Sequence, residues 1–151
     1  MPVIVKQCRL SSLQLEFVTY ACQRHEKDLP SGSRCGYFLG DGAGMGKGRQ
    51  LAGLILENVL KGRRKHIWIS TNIDLMEDAK RDVGDLCDDI DVVSLPASNT
   101  AKISEGLPHK KGVVLFTTYS SMSKGVTKTN EAGARLEQIL EWVGLGGGGC
   151  E

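Results

Sequence analysis

The chain has 151 residues, enough for one domain with a buried core. Its formal net charge is +1, with 25% charged and 40% hydrophobic residues, so no global polyelectrolyte field speaks for nucleic acid and the balance is that of an ordinary globular domain. It contains no apolar run of about 18 residues that would cross a bilayer, and its start lacks a basic-then-apolar signal pattern, so an intracellular protein without membrane partners is expected.

Leu10, Leu13, Phe17 and Ala21 recur at helical spacing, with Ser11 and Ser12 as caps, which predicts a helix over about 11–25. Asp28-Leu29-Pro30-Ser31-Gly32-Ser33 reads as a loop by its breakers. Tyr37-Phe38-Leu39 reads as a short buried strand. A glycine-rich stretch follows, and then Leu51, Leu54, Ile55 and Val59 mark one face of a helix ending near Lys61-Gly62. His66 to Ser70 reads as a second strand and Asp74 to Asp82 as a helix closed by Gly84. Asp91 to Ser94 and Gly112 to Thr117 read as two more strands. Leu136, Ile139, Leu140 and Val143 predict a last helix over about 130–143. Strands that are continuous apolar runs, alternating with helices, predict an α/β fold with a mostly parallel sheet and helices on both faces. The glycine-rich tail from Gly144 reads as a loop cut short, so the domain is expected to be incomplete. The five cysteines, Cys8, Cys22, Cys35, Cys87 and Cys150, are odd in number and form no Cys-x-x-Cys pair. They read as reduced thiols, and with His25, His66 and His109 isolated in sequence no metal site is assigned.

The most informative segment is Gly36-Tyr37-Phe38-Leu39-Gly40-Asp41-Gly42-Ala43-Gly44-Met45-Gly46-Lys47-Gly48-Arg49. An apolar run enters a glycine loop, the loop ends in Gly46-Lys47, and a helix pattern follows. That order builds a phosphate cradle: glycines admit phosphate oxygens to backbone N–H groups, the helix start adds partial positive charge and the lysine adds a full one. Gly42, Gly44, Met45, Gly46, Lys47, Gly48 and Arg49 are the candidate nucleotide-binding residues, with ATP and Mg²⁺ as the expected cofactors. The strict pattern would have glycine where Asp41 stands and a serine or threonine where Gly48 stands. The missing hydroxyl usually completes the Mg²⁺ shell. Either water takes its place, or Gly48 is needed because its backbone adopts a positive φ or a neighbouring element packs on its Cα. The residue after a P-loop lysine is normally helical, so water replacement is the expected explanation, and Gly48→Ser should then tighten Mg·ATP binding or leave it unchanged.

Aligned on the lysine, Asp41-Gly42-Ala43-Gly44-Met45-Gly46-Lys47-Gly48 resembles motif I of the superfamily 2 helicase-like ATPases, particularly the chromatin-remodeller branch. Leu13-Gln14-Leu15-Glu16 resembles the Q motif of that branch, where Gln14 would read the adenine edge with its paired donor and acceptor. The wording is most similar to the strawberry notch family, through Gly-Asp-Gly-Ala-Gly-x-Gly-Lys-Gly-Arg, Ala52-Gly53, Glu57-Asn58, Trp68-Ile69-Ser70, Asp74-Leu75, Asp78-Ala79, Arg81-Asp82 and Thr118-Tyr119-Ser120-Ser121. The likeness covers about residues 8–143.

The resemblance implies a RecA-like P-loop fold, with residues 1–151 forming one partial N-terminal ATP-binding lobe and no second domain. It implies a nuclear protein acting with DNA or chromatin and transcription factors in the control of transcription. The acidic motif II that holds Mg²⁺ and polarises water is expected beyond a helix like 130–143, and no such box occurs in the sequence. Asp88-Asp89 is a poor substitute, read as solvated surface. The chain is therefore expected to be inactive alone, with no catalytic residue of its own and most Mg²⁺ ligands outside it. Ser70-Thr71-Asn72 and Thr117-Thr118-Tyr119-Ser120 resemble motifs Ia and Ib. Thr71, Asn72, Thr118 and Tyr119 are thereby candidates for contact with a nucleic-acid backbone, beside the plainer reading of Ser70-Thr71-Asn72 as a helix cap. Lys61, Arg63, Arg64 and Lys65 read as a solvated helix end. Two rival readings stand beside this one: a generic small P-loop NTPase, and a non-catalytic interaction module, a transcription co-regulator scaffold that keeps the nucleotide fold.

Overall fold

A computed structural model describes residues 9–94, 111–122 and 135–144. Among them the elements run α1 (Ser12–His25), α2 (Lys47–Leu60), β1 (Lys65–Ser70), α3 (Leu75–Gly84), β2 (Ile90–Ser94), β3 (Gly112–Thr118), α4 (Tyr119–Met122) and α5 (Arg135–Val143). The chain divides into two compact units, Met1–Arg63 with Asp78–Asp88 and Arg64–Glu77 with Asp89–Glu151.

In the first unit, α1 opens with a reciprocal cap. The Ser11 hydroxyl accepts from the Gln14 backbone N–H at 3.3 Å, and the Gln14 side-chain carbonyl accepts from the Ser11 N–H at 3.0 Å. Phe17, Val18 and Ala21 bury one face of this helix, and Ala52 and Leu56 bury one face of α2. The loop after α1 folds back on itself through an antiparallel bridge between Asp28 and Arg34. Phe17 meets the Tyr37 ring edge-on at 5.5 Å. Lys61 ends α2 beside Glu26 and Glu57, and Arg63 Nη1 donates to the Asn58 side chain at 3.0 Å, so this basic turn is a paired helix end.

The second unit holds a three-stranded parallel sheet in the order β1-β3-β2. Its register sets Lys65 beside Val113 and Ser70 beside Thr118 on one edge, and Ile90 beside Gly112 and Ser94 beside Phe116 on the other. The middle strand is Gly-Val-Val-Leu-Phe-Thr-Thr, and all seven residues are buried, as a strand hydrogen-bonded on both edges and covered on both faces should be. Val113 and Leu115 pack with Ile139 and Trp142 of α5, flanked by Val93, Met122 and Val143. Asp89, expected as solvated surface, is exposed and pairs with Lys111 at 2.6 Å.

The fold is α/β with a parallel sheet and helices. The helices expected near 11–25, after the glycine loop and over 74–82 form within a few residues of their anticipated bounds, as do the strands expected at 66–70, 91–94 and 112–117. The expected last helix is present over Arg135–Val143, and its residues 130–134 lie outside the described residues. One expectation fails. Tyr37-Phe38-Leu39 forms no strand, and Phe38 is 89% exposed. A strand needs a ladder partner for its N–H and C=O groups, and among the described residues this segment has none.

Candidate nucleotide-binding site

The cradle is built on the first turn of α2. Gly44 and Gly46 take φ of 80° and 70°, the left-handed region that a side chain disfavours. Gly46 is the helix N-cap, and the first α-helical bond runs from Gln50 N to Gly46 O. The N–H groups of Lys47, Gly48 and Arg49 therefore have no intrahelical acceptor, which is the donor array that binds an anion. A Cβ built at Gly42 or Gly44 meets nothing within 4 Å, so the loop borders open space. Met45 is exposed on the same loop.

Lys47 folds back over the loop. Its Nζ donates to the Asp41 carbonyl at 3.0 Å and the Gly42 carbonyl at 2.7 Å. Both acceptors are neutral carbonyls at the rim of the glycine loop, and phosphate oxygens are better acceptors for an ammonium. The residues present thus fit a polyphosphate group.

Two glutamines brace the loop. A Cβ at Gly46 would stand 2.5 Å from Gln14 Nε2, so the Gln14 amide lies against the end of the cradle. Its oxygen is already engaged by Ser11, so the amide serves the α1 cap and the loop at once. Gln50 was not foreseen. It is fully buried, and its Nε2 donates to the Asp41 carboxylate at 2.9 Å and toward the Met45 carbonyl at 3.5 Å. It ties both ends of the loop to α2, which gives Asp41 a role in place of the usual glycine. The available signal was a polar residue one turn before Gly53, at the start of α2.

Gly48 has a neighbour that the sequence alone does not indicate. Its φ is not positive, as anticipated for a helical residue, yet a side chain there would have to displace a neighbour. A Cβ there would fall within van der Waals overlap of Asp82 Oδ2 from α3. Asp82 is fixed by Arg49, whose Nε lies 3.5 Å from Asp82 Oδ1 and whose Nη2 bonds Asp85. Packing against Cα, the less favoured of the alternatives, thus stands beside water replacement as a reason for glycine. Arg49 accordingly points to these two aspartates, and its expected part in phosphate binding falls to its backbone N–H.

The candidate nucleic-acid contacts lie in the second unit. Thr71 and Asn72 are exposed, and Asn72 is engaged in a local turn, donating to Asp74 Oδ2 at 2.9 Å and accepting from Asp74 N at 3.2 Å. That is the cap reading. Thr118 is 5% exposed, and its hydroxyl is shared with Ser120 and Ser121 at 3.0 and 2.9 Å. It organises the turn into α4 and offers little surface. Tyr119, 63% exposed, is the open side chain of that loop.

The family described as P-loop containing NTP hydrolase pore-1 matches residues 1–150. The chain belongs to this P-loop NTP hydrolase family. It is 48% identical over 139 residues to Protein strawberry notch of Drosophila melanogaster, covering 89% of this chain and 8% of that protein. It is 47% identical over 135 residues to Protein strawberry notch homolog 2 of Homo sapiens, covering 89% and 10%. It is 45% identical over 139 residues to Protein FORGETTER 1 of Arabidopsis thaliana, covering 89% and 10%. The resemblance to the strawberry notch proteins is thereby borne out, and the chain spans about a tenth of the length of these relatives. No solved structure matches it. No helix among the described residues is long and apolar enough to cross a membrane.

Proposed function

We propose that this chain is the ATP-binding part of a helicase-like protein of the strawberry notch type. The observation that carries the reading is Lys47. Its ammonium sits over a loop of two left-handed glycines at the start of α2, with the amide of Gln14 against the loop's end. The backbone N–H groups from Gly44 to Arg49 would hold the phosphates, and Lys47 would exchange the Asp41 and Gly42 carbonyls for β- and γ-phosphate oxygens. Gln14 would meet the base with its Nε2 donor. ATP and its Mg²⁺ are the proposed cofactors. Within the whole protein the nucleotide would supply the free energy of hydrolysis. The described residues of the cradle would bind and orient it, and the group that activates water is proposed to come from elsewhere in the whole protein.

Nuclear location, action on DNA or chromatin and a part in transcription control are proposed on the family resemblance, with Thr71, Asn72 and Tyr119 as the surface that would follow a phosphate backbone. The co-regulator scaffold reading drew on the lost hydroxyl at Gly48. The hydroxyl is absent whatever the cause of the glycine, so that reading stands beside the first.

Calorimetric titration of the 151-residue chain with ATP tests the proposal. Lys47→Ala should weaken binding by about ten- to a hundredfold, the equivalent of a charge-assisted bond of about 1.5–3 kcal/mol. Equal affinity in wild type and variant would remove Lys47 from the site. GTP binding as tight as ATP would remove Gln14 as a reader of the base.

A further inference from the structure

We propose that Asp82 supplies the metal-side oxygen ligand that this P-loop lacks at Gly48. The inference rests on the nucleotide-binding reading above. Where other P-loops carry a hydroxyl on the residue after the lysine, this chain has bare Cα, and the space in front of that Cα holds a carboxylate from α3. The two oxygens of Asp82 face different ways. Oδ1 lies 3.5 Å from Arg49 Nε, while Oδ2 is the atom that a residue-48 side chain would strike. No hydrogen bond of Oδ2 is formed among the described residues, so one oxygen is anchored and the other is presented at the first turn of α2.

The anchoring is specific. Arg49 immediately follows Gly48 and spans Asp82 and Asp85 of the same helix end. Arg9 Nη1 holds that end through the Asp85 carbonyl at 2.8 Å and the Leu86 carbonyl at 3.3 Å. The Asp82 side chain is 17% exposed, which keeps its free oxygen within reach of a bound ion while restricting its rotamers. A hard cation such as Mg²⁺ takes carboxylate oxygens readily and fills its remaining positions with phosphate and water. Gly48 and Asp82 are then one device split over two helices: glycine makes the room, and the aspartate brings the oxygen in place of a hydroxyl.

A carboxylate near a helix N-terminus also stabilises the helix with no metal involved, so the test must move something that a structural role leaves alone. Binding of a fluorescent ATP analogue is measured for wild type and Asp82→Asn, in excess Mg²⁺ and in EDTA, with melting curves alongside. Removing the ligand should cut the Mg²⁺-dependent gain in affinity by about 10–100-fold, the range for groups that tune a metal site. Affinity in EDTA should hold or rise, because a carboxylate no longer repels the phosphates. A drop of equal size in both buffers, or an unchanged Mg²⁺ gain, would overturn the proposal and leave nucleotide binding standing. No binding by wild type in either buffer would overturn the site and the inference together. Should the variant fail to fold, the wild-type chain decides. With the analogue bound, added Mn²⁺ should broaden the ¹³C signal of the Asp82 carboxylate before those of Asp41 and Asp85. An Asp82 signal that persists when the others are lost would sink the assignment.

Discussion

Two short apolar runs in this chain look alike and behave oppositely. Gly112–Thr118 is buried over all seven residues and paired with a strand on each edge. Gly36-Tyr37-Phe38-Leu39-Gly40 has no strand geometry and exposes Phe38 almost completely. Hydrophobicity nominates a strand, but backbone partners make one, because each unpaired N–H and C=O must otherwise stay in water. The glycine loop that follows the second run is therefore not shaped from its strand side. Gln50 reaching Asp41 and Met45, Lys47 reaching Asp41 and Gly42, and Gln14 lying on Gly46 all hold it from α1 and α2.

The largest effect separates the two runs directly. Phe116→Ala removes a fully buried ring that also stacks at a tilt on Trp68 at 6.1 Å, and it should cost about 3–5 kcal/mol. Phe38→Ala, at 89% exposure, should fall within about 0.5 kcal/mol of wild type. Urea unfolding of both variants measures this. A large loss at Phe38 would mean that the segment is packed in solution and that the contrast between the runs is false.

The next effect tests whether the helix side shapes the cradle. Gly48→Ser forces a side chain into the Asp82 carboxylate, and overpacking of this kind costs about 1–3 kcal/mol. Asp82 must turn aside, which disturbs its pairing with Arg49, so nucleotide affinity should fall with the melting temperature. Gly48→Ser combined with Asp82→Ala should recover much of the lost stability, because the clash is gone. A serine variant as stable and as tight-binding as wild type would leave water replacement as the reason for glycine.

These positions mark where the sequence was readable. The order of glycines, Lys47 and an amphipathic helix is a local pattern, so the cradle is legible from neighbouring residues alone. The same holds for Ser11 and the strands His66–Ser70 and Gly112–Thr117, whose signals lie within a few adjacent residues. Asp82 is legible only as part of the family wording Arg81-Asp82; its contact with Gly48, far back along the chain, is not readable from neighbouring residues. Gln50 was overlooked because a buried amide is recognised only once its acceptors are known. Thr118 was read as a surface hydroxyl from its neighbours, whereas the register with Ser70 places it on the buried middle strand. Tyr37-Phe38-Leu39 failed for the complementary reason: its composition is local, and its pairing is not.

The smallest effect acts on the helix that supports the loop and leaves the sheet unit out. His25 stands in the last turn of α1, half-buried and facing Arg34 and Arg63. Burial is the leading cause that pushes its pKa below the usual 6.5, and the two arginines add to it. A cation at a helix C-terminus is ordinarily favoured, but here desolvation and like charge win. The folded chain thus binds this proton less readily than the unfolded chain. Stability should be level above pH 6.5 and should fall as the pH drops through 6.5 and on through the lower folded value, because the unfolded state takes up the proton first. His25→Asn removes the titration and should flatten that part of the stability curve relative to wild type, while His66 and His109 contribute equally to both. Hydrogen exchange at mildly acidic and mildly alkaline pH adds the regional readout. The amides of α1 should lose protection at the lower pH in wild type more than in the variant, with β3 little changed in either. Equal acid sensitivity in both chains would show that His25 is free to charge in the fold, and that the support of the loop from α1 does not depend on keeping it neutral.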